Sequence, residues 1–562
     1  MRIKHFFGLA VLAAMTASCS SNNDLVNGGN GSGEVENGTA YASFKINLPT
    51  TSGTRADDPK PGTPSFDHGT AAEYEVKNGT ILIFDATTDK FVTSAELGTM
   101  NPWTDVKADG VTTAAIATVK LSDVSVTGNY NALVLLNNNT TDNATKKVTL
   151  PTTADTYATW SKDVLKANAT NYVSTDGIFM ANAPMYSATS EPTTLVKIKN
   201  VCASPEEAQA KAATVVYVER GLAKVTMQNF ADDGYDIADG TYKGGNVKIN
   251  NWQLDVTNMS TFPVHQTGTL KDSWAEIWNT PRFYDQISTA FKRVYWGIDP
   301  NYNNSDYQTL VNCKTAFNMI TKDKVVGEAG NTHPQYCLEN TFDLDNMKQG
   351  QTTRVVFKAV FTPKGFTGSE TFYKIGNNTA IWDATKLAQQ IKTVAVTAMG
   401  ITDAAEQNKY SVDLSKGSNI SGVAGQHLVE AGNIIYSGEA ASSKVTEAIV
   451  NAINEKLGLS AKTGISTYLN GEAYYIARIK HFNELTHWEA GQAYDTDNAA
   501  FLGRYGVLRN NWYDLAVNSI SGLGYPDIPE VKPNMPDDEN EQFINVEVKI
   551  LDWAKRSQNI DL

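Results

Sequence analysis

The residues best placed for chemistry in this 562-residue chain are few and scattered. Cys19 follows the small residues Ala17 and Ser18, and a thiol in that setting is where exported bacterial proteins are acylated and cut. His481 and His487 are the closest histidine pair, in HFNELTH. A helical zinc site needs histidines four apart with a glutamate between them, and this spacing does not put both on one face. Asp495-Thr496-Asp497-Asn498 has oxygen ligands for calcium but lacks the glycine and distal glutamate of a calcium loop, so a plain turn is expected. Asp537, Asp538 and Glu539 read as a solvated acidic run. There is no G-x-S-x-G, no P-loop and no dinucleotide fingerprint after a strand. No catalytic residue, metal or cofactor is expected, and no enzyme. Exposed tryptophan and tyrosine can stack on sugars, but Trp252, Tyr474 and Tyr475 sit in strand patterns and read as core.

Three cysteines remain beyond Cys19: Cys202, Cys313 and Cys337. An odd count excludes a complete disulfide framework. Buried free thiols are expected, with a Cys313–Cys337 bridge as the alternative. The formal net charge of −14 argues against a nucleic-acid partner.

The N-terminus explains the setting of Cys19. Arg2 and Lys4 precede an apolar run, Phe6 to Ala14, too short to span a bilayer. Residues 1–18 therefore read as a lipoprotein signal, with acyl chains on Cys19 as the membrane anchor. Ser20 to Asn37 is rich in Ser, Asn and Gly, a flexible tether. The chain beyond this tether is longer than a single hydrophobic core supports, so two or more domains are expected.

Period-two alternation dominates the rest. Along Ala40 to Leu48, Ala42, Phe44, Ile46 and Leu48 face one way and Tyr41, Ser43, Lys45 and Asn47 the other. Strands are also expected at GTILIF (79–84), 112–121, NALVLL (131–136), 247–256, TRVVFKAVFTP (353–363), GEAYYIARI (471–479) and RNNWYDLAVNSI (509–520). Short strands closed by Asp, Asn, Gly and Ser predict an all-β architecture of sandwiches with Greek-key wiring. Helices are expected as insertions: a connector at 206–213, a mixed segment at 382–396, and Ser443 to Leu457, with Val445, Ile449, Ala452, Ile453 and Leu457 as one apolar stripe. A boundary is placed near residue 214, where strand alternation restarts. From Gly522, Pro526, Pro529, Pro533 and Pro536 punctuate an acidic stretch read as a semi-rigid spacer. Beyond it lies one more strand, Phe543 to Trp553, with Ile544, Val546, Val548 and Ile550 in one row. By its spacing it can fold back on its own sheet or reach another molecule.

VERGLAKVTM (218–227), VVFKAVFTP (355–363), YGVLRNNWYDLAV (505–517) and the terminal FINVEVKILDW resemble the fimbrillins, or type V pilins, of Bacteroidia, most closely the shaft subunit of the minor fimbriae. The resemblance implies two transthyretin-like β-sandwich domains, here 56–214 and 215–525, with the spacer and donor strand at 526–562. It also implies export as an outer-membrane lipoprotein, then cleavage by an arginine-specific protease that removes an N-terminal segment with its first strand. Arg55 is the one arginine between Cys19 and Arg220, in Gly53-Thr54-Arg55-Ala56-Asp57, so the implied cut is between Arg55 and Ala56 and the propeptide is 19–55. Removing Ala42, Phe44, Ile46 and Leu48 would leave a groove for the Ile544, Val546, Val548 and Ile550 row of a neighbour. Expected partners are other copies head-to-tail, tip and anchor subunits, the protease, and host or bacterial surface proteins or glycans, with adhesion, biofilm and co-aggregation as the output of the cell-surface fimbria. The alternatives are a monomeric glycan-binding surface lipoprotein and a fimbrial tip adhesin.

Overall fold

The structure, a computed structural model, describes residues 38–49, 69–98, 104–108, 111–139, 146–167, 169–174, 177–279, 284–288, 291–368, 370–481, 487–538 and 544–552. Cys19, Arg55 and Ala56 lie outside the described residues. The chain is mostly β, with a few helices inserted.

The first half is built on β1 (Thr39–Pro49), β2 (Gly79–Asp85), β3 (Phe91–Glu96), β4 (Thr104–Ala108), β5 (Val111–Ser122), β6 (Tyr130–Leu136), β7 (Met180–Asn182) and β8 (Thr214–Arg220). Their order is β3-β2-β6-β7-β8-β1-β5-β4. The path curls so that β1 and β5 face β2 and β6 across one core. Ala42, Phe44, Ile46 and Leu48 pack there with Ile81, Ile83, Val119, Val134 and Val216. β2 and β6 are buried on their other faces as well, Leu82, Phe84, Leu133 and Leu135 meeting Trp160, Phe179 and Leu222. That double burial is why ILIF and ALVLL are continuous apolar runs rather than alternating ones.

After β8 the chain crosses at Gly221-Leu222 into β9 (Ala223–Met227) and a second sandwich. Side-chain packing leaves no room at this crossing: a Cβ on Gly221 would come within 2.9 Å of Phe179. The second sandwich uses β10 (Asn246–Asp255), β11 (Gln335–Cys337), β12 (Arg354–Thr362), β13 (Glu472–Arg478), β14 (Asn511–Ile520) and β15 (Ile544–Asp552). One sheet runs β11-β9-β14-β15, and the other pairs β10, β12 and β13. Between them Val225, Trp252, Phe357, Tyr475, Tyr513 and Leu515 form the core.

The helices that answer to the sequence expectations are α1 (Pro205–Ala210), α2 (Ala384–Ala398) and α3 (Glu447–Lys456). α1 is capped by Ser204, whose hydroxyl accepts from Glu207 N, with Pro205 in its first turn. α2 and α3 belong to an insertion with its own core, where Leu387, Ile391 and Ala395 meet Ile453. Of the stripe expected on α3, Ile453 is fully buried, and Val450 joins it from an adjacent position.

One expectation changes. Residues 522–538 do not stand off as a solvated spacer. They form a strap on the second sandwich, with Asp537 0% and Asp538 5% exposed. The prolines do forbid helix and central strand there, but a strap needs neither. The C-terminal strand takes the nearer of its two options: β15 is an edge strand, antiparallel to β14 of its own chain from Ile520↔Ile544 to Asn511↔Asp552. Cys202, Cys313 and Cys337 are buried free thiols.

Candidate functional site

Every inward residue of β1 is sequestered. Ala42, Phe44, Ile46 and Leu48 are each 0% exposed. β1 is central in its sheet, antiparallel to β5 from Thr39↔Ser122 to Pro49↔Val111 and parallel to β8 from Phe44↔Thr214 to Asn47↔Tyr217. Its outer face is covered too. Ser43 Oγ donates to Ala208 O of α1 at 2.8 Å, and Tyr41 exchanges backbone hydrogen bonds with Cys202. β1 is thus central to its sheet and covered on both faces, with Lys45 exposed on the outer one. Without it β5 and β8 would present unpaired edges on either side of an apolar slot.

The slot is coupled to the second sandwich through β8. Glu219 and Arg220 at its end enter a buried charged junction. Glu219 Oε1 lies 2.7 Å from His265 Nδ1, and Arg293 Nε donates to Glu219 Oε2 at 2.7 Å. Burial alone would raise the Glu219 carboxyl, but Arg293, His265 and Arg509 overcome it and hold it at about 2. Arg509 Nε donates to Glu339 Oε2 at 3.0 Å. Arg220 Nε donates to Glu73 O at 2.9 Å. Burial opposes the ionisation of Glu73 as well, but Lys224, with hydrogen bonds from Tyr336 and Thr70, brings its carboxyl below the ordinary range.

The motif Arg509-Asn510-Asn511-x-Tyr513 is the keystone of this junction. Asn510 sits in the left-handed region at φ 57°, which Asn tolerates better than most residues. There its Oδ1 accepts from Arg220 N at 3.1 Å and its own N–H donates to Leu222 O at 2.7 Å. Asn511 Nδ2 donates to Arg509 O at 3.0 Å, and the Tyr513 hydroxyl accepts from Leu508 N at 2.9 Å. The sequence shows these residues but not the partners of Asn510, Arg220 and Leu222, which lie nearly 300 positions away. Oppositely charged residues inside strand patterns, Glu219 and Lys224, were the available signal.

The remaining sequence candidates have structural places. His481 is a core residue, its Nδ1 2.8 Å from the Tyr513 hydroxyl, while His487 is exposed. Asp495 organises a local turn, its carboxylate accepting from Asp497 N at 3.1 Å. Trp252, Tyr474 and Tyr475 are buried. Ile544, Val546, Val548 and Ile550 lie on β15, paired with Ile520, Val517, Leu515 and Tyr513. No group of three His, Cys, Asp or Glu side chains among the described residues could hold a metal ion, and none of the described helices is long and apolar enough to cross a membrane.

Taken together, two β-sandwiches joined through a buried ionic hinge, with a buried N-terminal strand and a C-terminal edge strand, define a β-sandwich protein with a strand at each end of its path. Residues 466–559, which include β13, β14 and β15, match the family model Fimbrillin_C, the C-terminal part of the major fimbrial subunit protein type IV, fimbrillin. The match covers this C-terminal region alone. Among solved structures, the chain is similar to a candidate cell adhesion protein of Parabacteroides distasonis ATCC 8503, at 11% identity and a TM-score of 0.39, covering 92% of this chain and 99% of that one. A fimbrial assembly protein of the same organism shows 11% identity and a TM-score of 0.26, covering 57% of this chain and 95% of that one. No curated protein matches the chain.

Proposed function

We propose that this protein is a structural subunit of a cell-surface fimbria, of the shaft type, that polymerises head-to-tail when β1 is cut away. The observation that carries this reading is the position of β1: central, buried on its inner face without remainder, with Arg55 six residues past Pro49. Cleavage between Arg55 and Ala56 by an arginine-specific protease would release the 19–55 propeptide together with the lipid on Cys19. The lipid would then serve delivery to the outer membrane, not permanent attachment.

The direction of exchange comes from strand counts. On its own sheet β15 is an edge strand with one neighbour, β14. In a vacated slot it would have two, β5 and β8, as β1 has here. The second ladder adds several hydrogen bonds at about 0.5–1.5 kcal/mol net each. One end of each subunit then fits the other end of the next, a heterologous contact that propagates. Tip and anchor subunits and adhesion to host or bacterial surfaces belong to the same reading. A chain with both a removable strand and a donor is suited to the shaft.

Limited trypsin digestion tests it. An early cut after Arg55 and then SDS-resistant ladders are expected, and Arg55→Ala should abolish both. Trimmed protein that stays monomeric at high concentration would favour the self-contained monomer, for which β15 on its own sheet is the finished arrangement.

A further inference from the structure

The strap contradicts the simplest picture of a donor arm swinging from the end of β14. Its backbone is tied to the body at intervals. Tyr525 and Tyr474 exchange hydrogen bonds at 2.8 Å, Gln349 N donates to Met535 O at 3.0 Å, and Asp537 N donates to Met347 O at 3.1 Å. Side chains hold it as well: Tyr475 donates to Gly522 O at 3.0 Å and Arg354 to Pro529 O at 2.8 Å. The strongest grip is at its end. Asp537 accepts from the Tyr494 hydroxyl at 2.6 Å and the Thr352 hydroxyl at 2.9 Å. Asp538 accepts from Arg504 Nε at 2.8 Å and the Tyr505 hydroxyl at 2.7 Å. Trp488 closes the site, the Arg504 guanidinium lying 4.7 Å from the centre of its ring. These carboxylates are buried and mostly matched by donors, the condition under which breaking one partner is costly.

We propose that Asp537 and Asp538 are positioning residues that fix the root of the C-terminal strand, so that the strap stays docked when β15 exchanges. The consequence for assembly rests on the shaft-subunit reading; the fixed strap does not. Six chain steps separate Asp538 from Ile544, a reach of at most about 20 Å, whereas an arm free from Gly522 would have 22 steps and about 75 Å. A short reach from a fixed root sets the distance and direction of the next subunit. The prolines assist by keeping the strap out of competing helix and ladder conformations.

A reversible staple tests this. Lys348 and Pro536 face each other in an antiparallel bridge. The flanking hydrogen bonds make it the close, non-hydrogen-bonded type of pair, whose Cα separation of about 4.5 Å suits a disulfide. In full-length Lys348→Cys/Pro536→Cys, oxidised and then trimmed at Arg55, ladder formation within about twofold of the unsubstituted protein is expected. Stapled protein that stays monomeric and polymerises on reduction would overturn the proposal, because the strap would then have to peel. Hydrogen exchange supplies a readout independent of assembly. In untrimmed protein, 530–538 should exchange far more slowly than 544–552, and Asp538→Asn should speed exchange over 530–538 by roughly a hundredfold. If 530–538 and 544–552 exchange together, the strap is not fixed. If trimmed unsubstituted protein fails to polymerise while the strap remains slow, the assembly reading fails and the anchor stands.

Discussion

Lys224 Nζ lies 2.6 Å from Glu73 Oε1 and 3.6 Å from the centre of the Trp512 ring, with both charged side chains almost wholly buried. One contact thus joins the segment ahead of β2, the first strand after the crossing, and β14. The ion pair ties the two sandwiches together at this point.

Breaking that pair from one side should be severe. Glu73→Ala removes the carboxylate paired with a buried lysine, at about 3–5 kcal/mol. A urea melt should show the loss. Lys224→Met with Glu73→Leu should recover much of it, since an apolar pair of similar volume avoids the desolvation cost. A double variant as weak as Glu73→Ala would show that the charges themselves are needed.

Acid should open the junction. Glu73 and Glu219 have folded-state pKa values below their ordinary 4.5, Glu219 at about 2. A depressed carboxyl contributes stability that is complete above its unfolded pKa and is lost as pH falls through the folded value. The Glu219 contribution should therefore decline between about pH 4.5 and 2, and that of Glu73 should decline below 4.5. Glu219→Gln should flatten the melting-temperature profile in that window while lowering stability at pH 7.

Phe44→Ala on β1 empties part of a fully buried site and should cost about 3–5 kcal/mol in the untrimmed protein. Lys45→Ala, at an exposed position of the otherwise covered outer face, should stay within about 0.5 kcal/mol. After trimming at Arg55 neither substitution should matter, because the proposal removes both residues. Thermal melts before and after trimming check all four values.

The thiols report on the slot. Burial pushes Cys337 up to about 12 and raises Cys313 as well, so both should resist thiol reagents in the native state. Cys202 is also buried, but its backbone partner is Tyr41 of β1. Trimming should make Cys202 reactive and leave Cys313 and Cys337 silent. Mass spectrometry after brief labelling separates the three, and equal silence would mean the slot recloses.

Much of the fold was legible because burial imposes a period. Ala42, Phe44, Ile46 and Leu48 alternate, and each is buried. Both-sided burial made the runs in β2 and β6 continuous. The composition of 522–538 misled because prolines and acids are usually solvated, and nothing local showed that Tyr494, Tyr505, Thr352 and Arg504 would converge on Asp537 and Asp538. Charged partners carry no periodic signature, so Glu219 and Arg293, 74 positions apart, could not be paired beforehand.

The sequence by itself determined the all-β character, the apolar rows of the first and last strands, and the arginine between the first strand and the rest. Those are local properties, written in alternation and turn residues. Tertiary structure alone decided that β1 is central rather than at an edge, that β15 pairs with its own β14, and that the strap is anchored. Each depends on which distant backbone edge or buried donor a segment meets, and chain connectivity does not encode that choice locally.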